Sequence, residues 1–141
     1  MSRGTAQCPT ILLVDDESGV RRLLRRIFVG LRYTVIEADN GLEALRLVHE
    51  QQKAIDLILT DIELPMMKGT EFAARVLDAY PEQRIVLMSA YASSPKGFSR
   101  LGVNRVVVPV LQKPLDIARL KAVVMLSLQE TPGTRAVGAL A

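Results

Sequence analysis

The stretch Ile55-Asp56-Leu57-Ile58-Leu59-Thr60-Asp61-Ile62-Glu63-Leu64-Pro65 constrains this chain more than any other. Leu57, Ile58 and Leu59 form an unbroken apolar run, as expected of a strand buried on both faces in a parallel sheet. The run stops at Asp61, and Pro65 soon afterwards cannot donate to a continuing ladder. A carboxylate is therefore expected at the C-terminal tip of a central strand. In open α/β sheets that edge is where ligands bind. An isolated aspartate there is equally an ordinary cap or loop residue, so the remaining stretches decide its meaning.

Thr10-Ile11-Leu12-Leu13-Val14 reads as a second buried strand, ending at Asp15-Asp16-Glu17. Ser18 can cap a helix whose core-facing stripe is Val20, Leu23, Leu24, Ile27, Phe28 and Leu31. Arg21, Arg22, Arg25 and Arg26 lie on its other side, as a solvated or docking face. Gly30 ends this helix. Tyr33 to Glu37 is rich in β-branched residues and reads as a strand. Asn40 and Glu43 have capping-box spacing ahead of an apolar face of Leu42, Leu45 and Val48. His49, the sole histidine, falls near that helix's C-terminus, where the dipole favours it as a surface residue.

Past Pro65 and Gly69, Thr70 is the expected cap of a helix that buries Phe72, Ala73, Val76, Leu77 and Tyr80 and stops at Pro81. Arg84 to Ala90 reads as a strand ending near Ser89. Tyr91 to Gly102 holds Ser93, Ser94, Pro95 and Gly97, so any helix there is short and weakly specified. Val106 to Leu111 reads as a fifth strand, which Pro109 pushes towards a sheet edge. Lys113-Pro114 ends it, and Asp116 opens a last helix through Ile117, Leu120, Val123, Val124 and Leu128.

Five strands alternating with five helices imply an α/β, doubly wound, five-stranded parallel sheet. The flavodoxin-like order 2-1-3-4-5 sets strands one and three side by side at the switch point. The 141 residues suffice for one domain, expected over 10–129, between an N-terminal tail 1–9 and a flexible tail or linker stub 130–141. No apolar run approaches the roughly 18 residues of a membrane span. Met1 to Pro9 has no apolar core and does not read as a signal peptide. Cys8 is the single cysteine, which suits a cytoplasmic protein. The net charge is +3, there is no tryptophan, and no basic block interleaves with aromatics, so no direct nucleic-acid partner is expected.

Under that strand order Asp15 and Asp16 meet Asp61, while Ser89 and Lys113 arrive from the two remaining strand tips. Two carboxylates roughly 5 Å apart repel by about 3 kcal/mol at an effective dielectric near 20. Such a cluster makes poor sense for stability alone. A divalent cation resolves the conflict, and Mg2+ takes one or two carboxylates while leaving positions for water or phosphate oxygens. Metal, ammonium and hydroxyl around one ionised carboxylate describe a phosphoryl-transfer site, with the carboxylate as nucleophile.

The set Val14-Asp15-Asp16, Leu59-Thr60-Asp61 with Leu64-Pro65 and Gly69, Met88-Ser89-Ala90, and Lys113-Pro114 resembles the receiver domain of bacterial two-component response regulators. The resemblance covers roughly Thr10 to Gln129. It implies Asp61 as phosphoacceptor, supplied by a sensor histidine kinase or a histidine phosphotransfer protein. Asp16 would bind Mg2+ directly, Asp15 partly through water, and Glu63 through its backbone carbonyl. Ser89 and Lys113 would bind phosphoryl oxygens. Such a protein is a switch that promotes its own phosphorylation and dephosphorylation, not a turnover enzyme.

The family's usual aromatic three residues before the strand-five lysine is Val110 here. Val110-Leu111-Gln112-Lys113-Pro114 also looks like receivers fused to hybrid histidine kinases, so a detached C-terminal receiver is one alternative. A non-phosphorylated pseudo-receiver is another. A flavin carrier would need a Ser/Thr/Gly-rich loop where Asp15-Asp16-Glu17 stands, and an aspartyl phosphatase usually has Asp-x-Asp on its first strand. In the family the side chains two residues past the acceptor and past the hydroxyl residue flank attacking water, here Glu63 and Tyr91; Tyr91 is expected to screen an acyl phosphate, with Glu63 orienting water as the opposing effect. Met125 and Leu126 widen the last helix's apolar surface, which suggests a homodimer or docking face.

Overall fold

The apolar runs become the inner strands of one sheet. The computed structural model describes residues 8–91 and 98–130. In chain order the elements are β1 (Thr10–Val14), α1 (Ser18–Gly30), β2 (Thr34–Ala38), α2 (Gly41–Gln51), β3 (Leu57–Asp61), α3 (Gly69–Ala79), β4 (Ile85–Ser89), β5 (Phe98–Val103), β6 (Val106–Gln112) and α4 (Ile117–Gln129). A 3-10 turn, Gln52–Ala54, links α2 to β3. The strand order is β2-β1-β3-β4-β6-β5. The first five strands in that order run parallel, which preserves the expected 2-1-3-4-5 core.

Because β1, β3 and β4 are covered on both faces, their side chains feed two cores. Leu12, Val14, Ile58 and Leu87 pack with Phe72, Val76 and Val48 under α2 and α3. Ile11, Leu13, Leu59 and Met88 pack with Phe28, Leu24, Leu120 and Val124 under α1 and α4. Burying Phe28 or Phe72 fully contributes on the order of 2–3 kcal/mol each. Three expected core positions are exposed instead. Leu23 stands off α1, Leu31 follows its end, and Leu42 stands off α2, where Ala44, Leu47 and Val48 form the buried face.

Helix starts divide by chemistry. Asn40 accepts from the Glu43 backbone N–H at 2.8 Å and Asp116 from that of Arg119 at 3.1 Å, as their spacing implied. Ser18 and Thr70 are not caps. The caps are Glu17 and Lys68, neither with a side-chain cap bond. In both cases the chain is already set by neighbouring acids and glycine, described below, so a side-chain cap is not needed to start the turn. The α1 C-terminus places Arg32 at φ 68°, with Tyr33 N–H donating to the Phe28 carbonyl. Gly30 is the last helical residue but not the left-handed one.

The main correction lies between β4 and β6. Among the described residues, six strands and four helices stand where five and five were expected. Residues 92–97 of the stretch expected to hold a weak helix lie outside the described residues. Residues 98–103 are a strand, antiparallel to β6. The turn explains it. Asn104 and Arg105 both have positive φ, 49° and 67°, the two-residue geometry whose twist matches a hairpin. β-Branched Val103 and Val106 flank the turn and pair with each other. Asn104 Nδ2 also donates to the Ala74 carbonyl at 2.6 Å, tying the hairpin to α3. Pro109 therefore does not mark an edge, since β6 lies between β4 and β5. The ladder with β4 begins at Val110, one residue past the proline.

Only Asn at the first turn position is a favoured residue, because a side-chain-bearing residue at positive φ is strained relative to glycine. Arg105→Gly should raise the unfolding free energy by about 0.5–1 kcal/mol. Urea denaturation measures it, and a loss of stability would contradict the turn assignment.

Candidate functional site

The parallel strands bring their C-terminal ends to one rim, and the acids follow. Asp15 directly follows β1 and is fully buried, while Asp61 ends β3 at 3% exposure. Two local constraints hold these ends. Asp15 Oδ1 accepts from the Glu17 backbone N–H at 2.9 Å, which turns the chain into α1. Asp61 Oδ1 accepts from the Glu63 backbone N–H at 3.0 Å. Both carboxylates thus spend one oxygen on the loop that follows them and aim the other inward.

Lys113, just past β6, receives those inward oxygens. Its Nζ donates to Asp15 Oδ2 at 2.9 Å and Asp61 Oδ2 at 2.8 Å, with Glu17 Oε1 at 3.4 Å. Its backbone N–H donates to the Ser89 carbonyl at 2.9 Å, and its peptide with Pro114 is cis. Carboxylate oxygens of Asp15, Asp16 and Asp61 lie within 4.8 Å of one another. Asp16 is exposed, and its carboxylate has no hydrogen-bond or ion-pair partner among the described residues. All five sequence-predicted side chains of the site therefore sit at one rim.

Burial pushes Asp61 up to about 6, against the Lys113 ammonium and the Glu63 N–H, which pull it down; the charge of Asp15 adds to the rise. For Lys113, burial favours the neutral amine, but hydrogen bonds and charge from Asp61 and Asp15 outweigh it and raise the ammonium above its usual value. The lysine is therefore a permanent cation at physiological pH. One ammonium serves two buried acids, with a third acid beside them, and the cluster is short of positive charge.

Three contributors were not legible. Arg21 donates through Nη1 to the Asp15 carbonyl at 2.5 Å and through Nε to Glu37 at 3.2 Å, so it braces the β1–α1 loop from a face read as solvated. Its spacing from Asp15 was visible, but only the fold shows that the guanidinium turns back. The Glu63 side chain has partners that its position two residues past Asp61 does not announce. Its Oε2 accepts from Ser89 Oγ at 2.8 Å and its Oε1 from the Ala90 N–H at 3.2 Å. Gly69 was part of the motif without a reason. A Cβ there would meet the Asp61 carbonyl and lie 2.8 Å from Ile62 Cα, and its N–H donates to the Ile62 carbonyl. Tyr91 is 81% exposed, so its ring stands in solvent and the expected screening has no support. His49 is exposed and meets the Tyr80 hydroxyl at 3.0 Å through Nδ1, as a surface residue.

Residues 11–125 match the family of response regulator receiver domains. The chain belongs to that family. As a receiver domain it is a module of phosphorylation-dependent signalling. It is 32% identical over 119 residues to the sensor histidine kinase CheAY of Helicobacter pylori, covering 84% of this chain and 15% of that protein. It is 38% identical over 81 residues to sporulation initiation phosphotransferase F of Bacillus subtilis, covering 57% of this chain and 64% of that one. Among solved structures, the receiver domain from hybrid histidine kinase CckA is similar at 30% identity and a TM-score of 0.69, covering 85% of this chain and 99% of that one. The receiver thus spans less than two thirds of these curated relatives' length.

The raised Asp61 value has a stability consequence. Its folded-state pKa lies above the ordinary 3.8, so the neutral carboxyl's contribution is complete below about pH 4 and is lost as pH rises through about 6. In magnesium-free buffer at pH 7, Asp61→Asn should therefore be more stable than wild type by about 1–3 kcal/mol. The difference should close near pH 4. Urea titrations across that range test it, and a pH-independent difference would refute the ionised, buried carboxylate.

Proposed function

We propose that Asp61 is the phosphoacceptor of this receiver and takes its phosphoryl group from a phosphohistidine. The observation that carries this reading is the convergence on one buried carboxylate. Lys113 Nζ lies 2.8 Å from Asp61 Oδ2, with Asp15 and Asp16 beside it and the Ser89 hydroxyl at the next strand tip. In the transfer, the other ring nitrogen of the phosphohistidine is protonated, the P–N bond breaks, and its electron pair stays on the imidazole, which leaves neutral. A P–O bond forms to the Asp61 carboxylate, which needs no general base because it is ionised at neutral pH. Lys113 neutralises phosphoryl charge, Ser89 donates its hydroxyl hydrogen to a phosphoryl oxygen, and the buried rim limits access of water.

The donor set fits Mg2+. It is all oxygen, it is under-neutralised by one ammonium, and it includes the Asp16 carboxylate, which has no partner among the described residues. Asp15, Asp16, Asp61 and the Glu63 backbone carbonyl would hold the ion. When bound, it supplies positive charge to the phosphoryl oxygens. Hydrolysis of the acyl phosphate then resets the switch, and the protein is not a turnover enzyme in this reading.

The donor is a sensor histidine kinase or a histidine phosphotransfer protein. The kinase and phosphotransferase names of the relatives support that choice, and likeness to a hybrid-kinase receiver supports a fused arrangement as the alternative. The functional unit is 10–129; most of the two flanking tails lies outside the described residues. Among those residues no helix is long and apolar enough to cross a membrane, and we read the domain as cytoplasmic, without a direct nucleic-acid partner. Met125 and Leu126, 48% and 66% exposed on α4, support a homodimer or docking face there.

Acetyl phosphate with Mg2+ should add one phosphoryl group to wild type and none to Asp61→Asn, read by intact mass. Equal labelling of both would exclude Asp61. Asp16→Asn should weaken Mg2+ affinity at least tenfold by titration, and unchanged affinity would remove it as a ligand. For α4, sedimentation of wild type and Met125→Glu with and without phosphorylation tests the homodimer. Monomers throughout would exclude self-association.

A further inference from the structure

The Glu63 side chain is held in a way that neither phosphoacceptance nor metal binding requires. It projects from the loop two residues after Asp61, yet both its oxygens are taken at the tip of β4. Ser89 Oγ donates to Oε2 at 2.8 Å and the Ala90 backbone N–H donates to Oε1 at 3.2 Å. The Ser89 oxygen in turn accepts from the Tyr91 N–H at 3.0 Å, so the carboxylate, the hydroxyl and the turn after β4 form one chain of hydrogen bonds. At its other end, the Glu63 N–H is bonded to Asp61 Oδ1 at 3.0 Å.

We propose that Glu63 is an internal anion that holds the phosphoryl-oxygen subsite shut, and that its expulsion on phosphorylation is the step by which this receiver switches. The proposal rests on the reading of Asp61 as phosphoacceptor and adds what that reading leaves open. A serine hydroxyl has one hydrogen, and so does a backbone amide. Given to Glu63, neither can be given to a phosphoryl oxygen, so the two anions exclude each other at this pair of donors. Phosphorylation turns the singly charged Asp61 carboxylate into a doubly charged acyl phosphate, on the residue whose carboxylate accepts from the Glu63 backbone, and like charge drives the Glu63 side chain outward.

The usual alternative readout is missing from this chain. Val110 stands where the family usually carries an aromatic. It is 5% exposed, fixed between Leu87 of β4 and Ser99 of β5. It has no ring to move. Releasing Glu63 instead frees the Ala90 N–H and loosens the Ser89 anchor of Tyr91, and both residues are exposed on the turn that leaves the site.

Substitutions can separate occupancy from mere charge. Glu63→Ala removes both; Glu63→Asp keeps the charge but is one methylene short of the two donors. Without any phosphodonor, both variants should speed hydrogen exchange of the Ala90 amide at least tenfold by NMR; unchanged exchange in both would overturn the interlock. With Mg2+ and beryllofluoride as phosphoryl mimic, both should bind the mimic about tenfold more tightly than wild type, and Ser89→Ala should abolish most of that gain. Glu63→Asp behaving like wild type, or a full gain persisting with Ser89→Ala, would leave simple repulsion and overturn the proposal. Failure of wild type to bind the mimic at all would instead count against Asp61 as phosphoacceptor, and the Ala90 exchange would still decide the interlock.

Discussion

The ammonium of Lys113 between Asp15 and Asp61 is the interaction on which the rest of this structure depends. It joins the tips of the paired strands β1 and β3 to that of β6, which β4 separates from them, through side chains at 2.9 and 2.8 Å. Two buried carboxylates cannot share a rim without it, and even with it burial still lifts Asp61 to about 6. The site is thus built with less positive charge than its acids call for. That deficit sets the electrostatics of the rim, where the carboxylates of Asp15, Asp16 and Asp61 face one ammonium.

Parallel strands explain why so much of this was legible in the sequence. A run such as Leu57-Ile58-Leu59 announces a strand buried on both faces, and alternation with helices fixes all such strands in one direction. Residues just past each run must then gather at one rim. That reasoning locates Asp15, Asp61, Ser89 and Lys113 without any coordinates. What it cannot reach is where a long side chain turns. Nothing in the pattern aims the side chain of Arg21 or Glu63, yet each bends back to brace or occupy the site. Arginine and glutamate have enough rotatable bonds that spacing does not determine their partners.

The hairpin was lost for a different reason. Its signal was a single Asn104 between Val103 and Val106, followed by Arg105 rather than the glycine that marks such turns. The serines, proline and glycine upstream argued only against a strong helix, and weak helix is not the same as strand. Pro109 compounded the error. A missing donor normally argues for an edge, but here the donorless residue precedes the paired segment with β4. The Gly69 requirement was invisible for the opposite reason: it comes from the backbone of Asp61 and Ile62 folding against it, which no local pattern encodes.

Adding β5 outside β6 also changes what the margin of the sheet exposes. An open edge strand is a template on which another chain can pair. Were β6 the margin, any such pairing would act directly on the strand that carries the lysine at its tip. With β5 as a sacrificial border, bearing the exposed Arg100 that discourages edge-to-edge association, the lysine strand is shielded by a ladder on either side. The charge centre is thereby insulated from accidents at the rim of the fold.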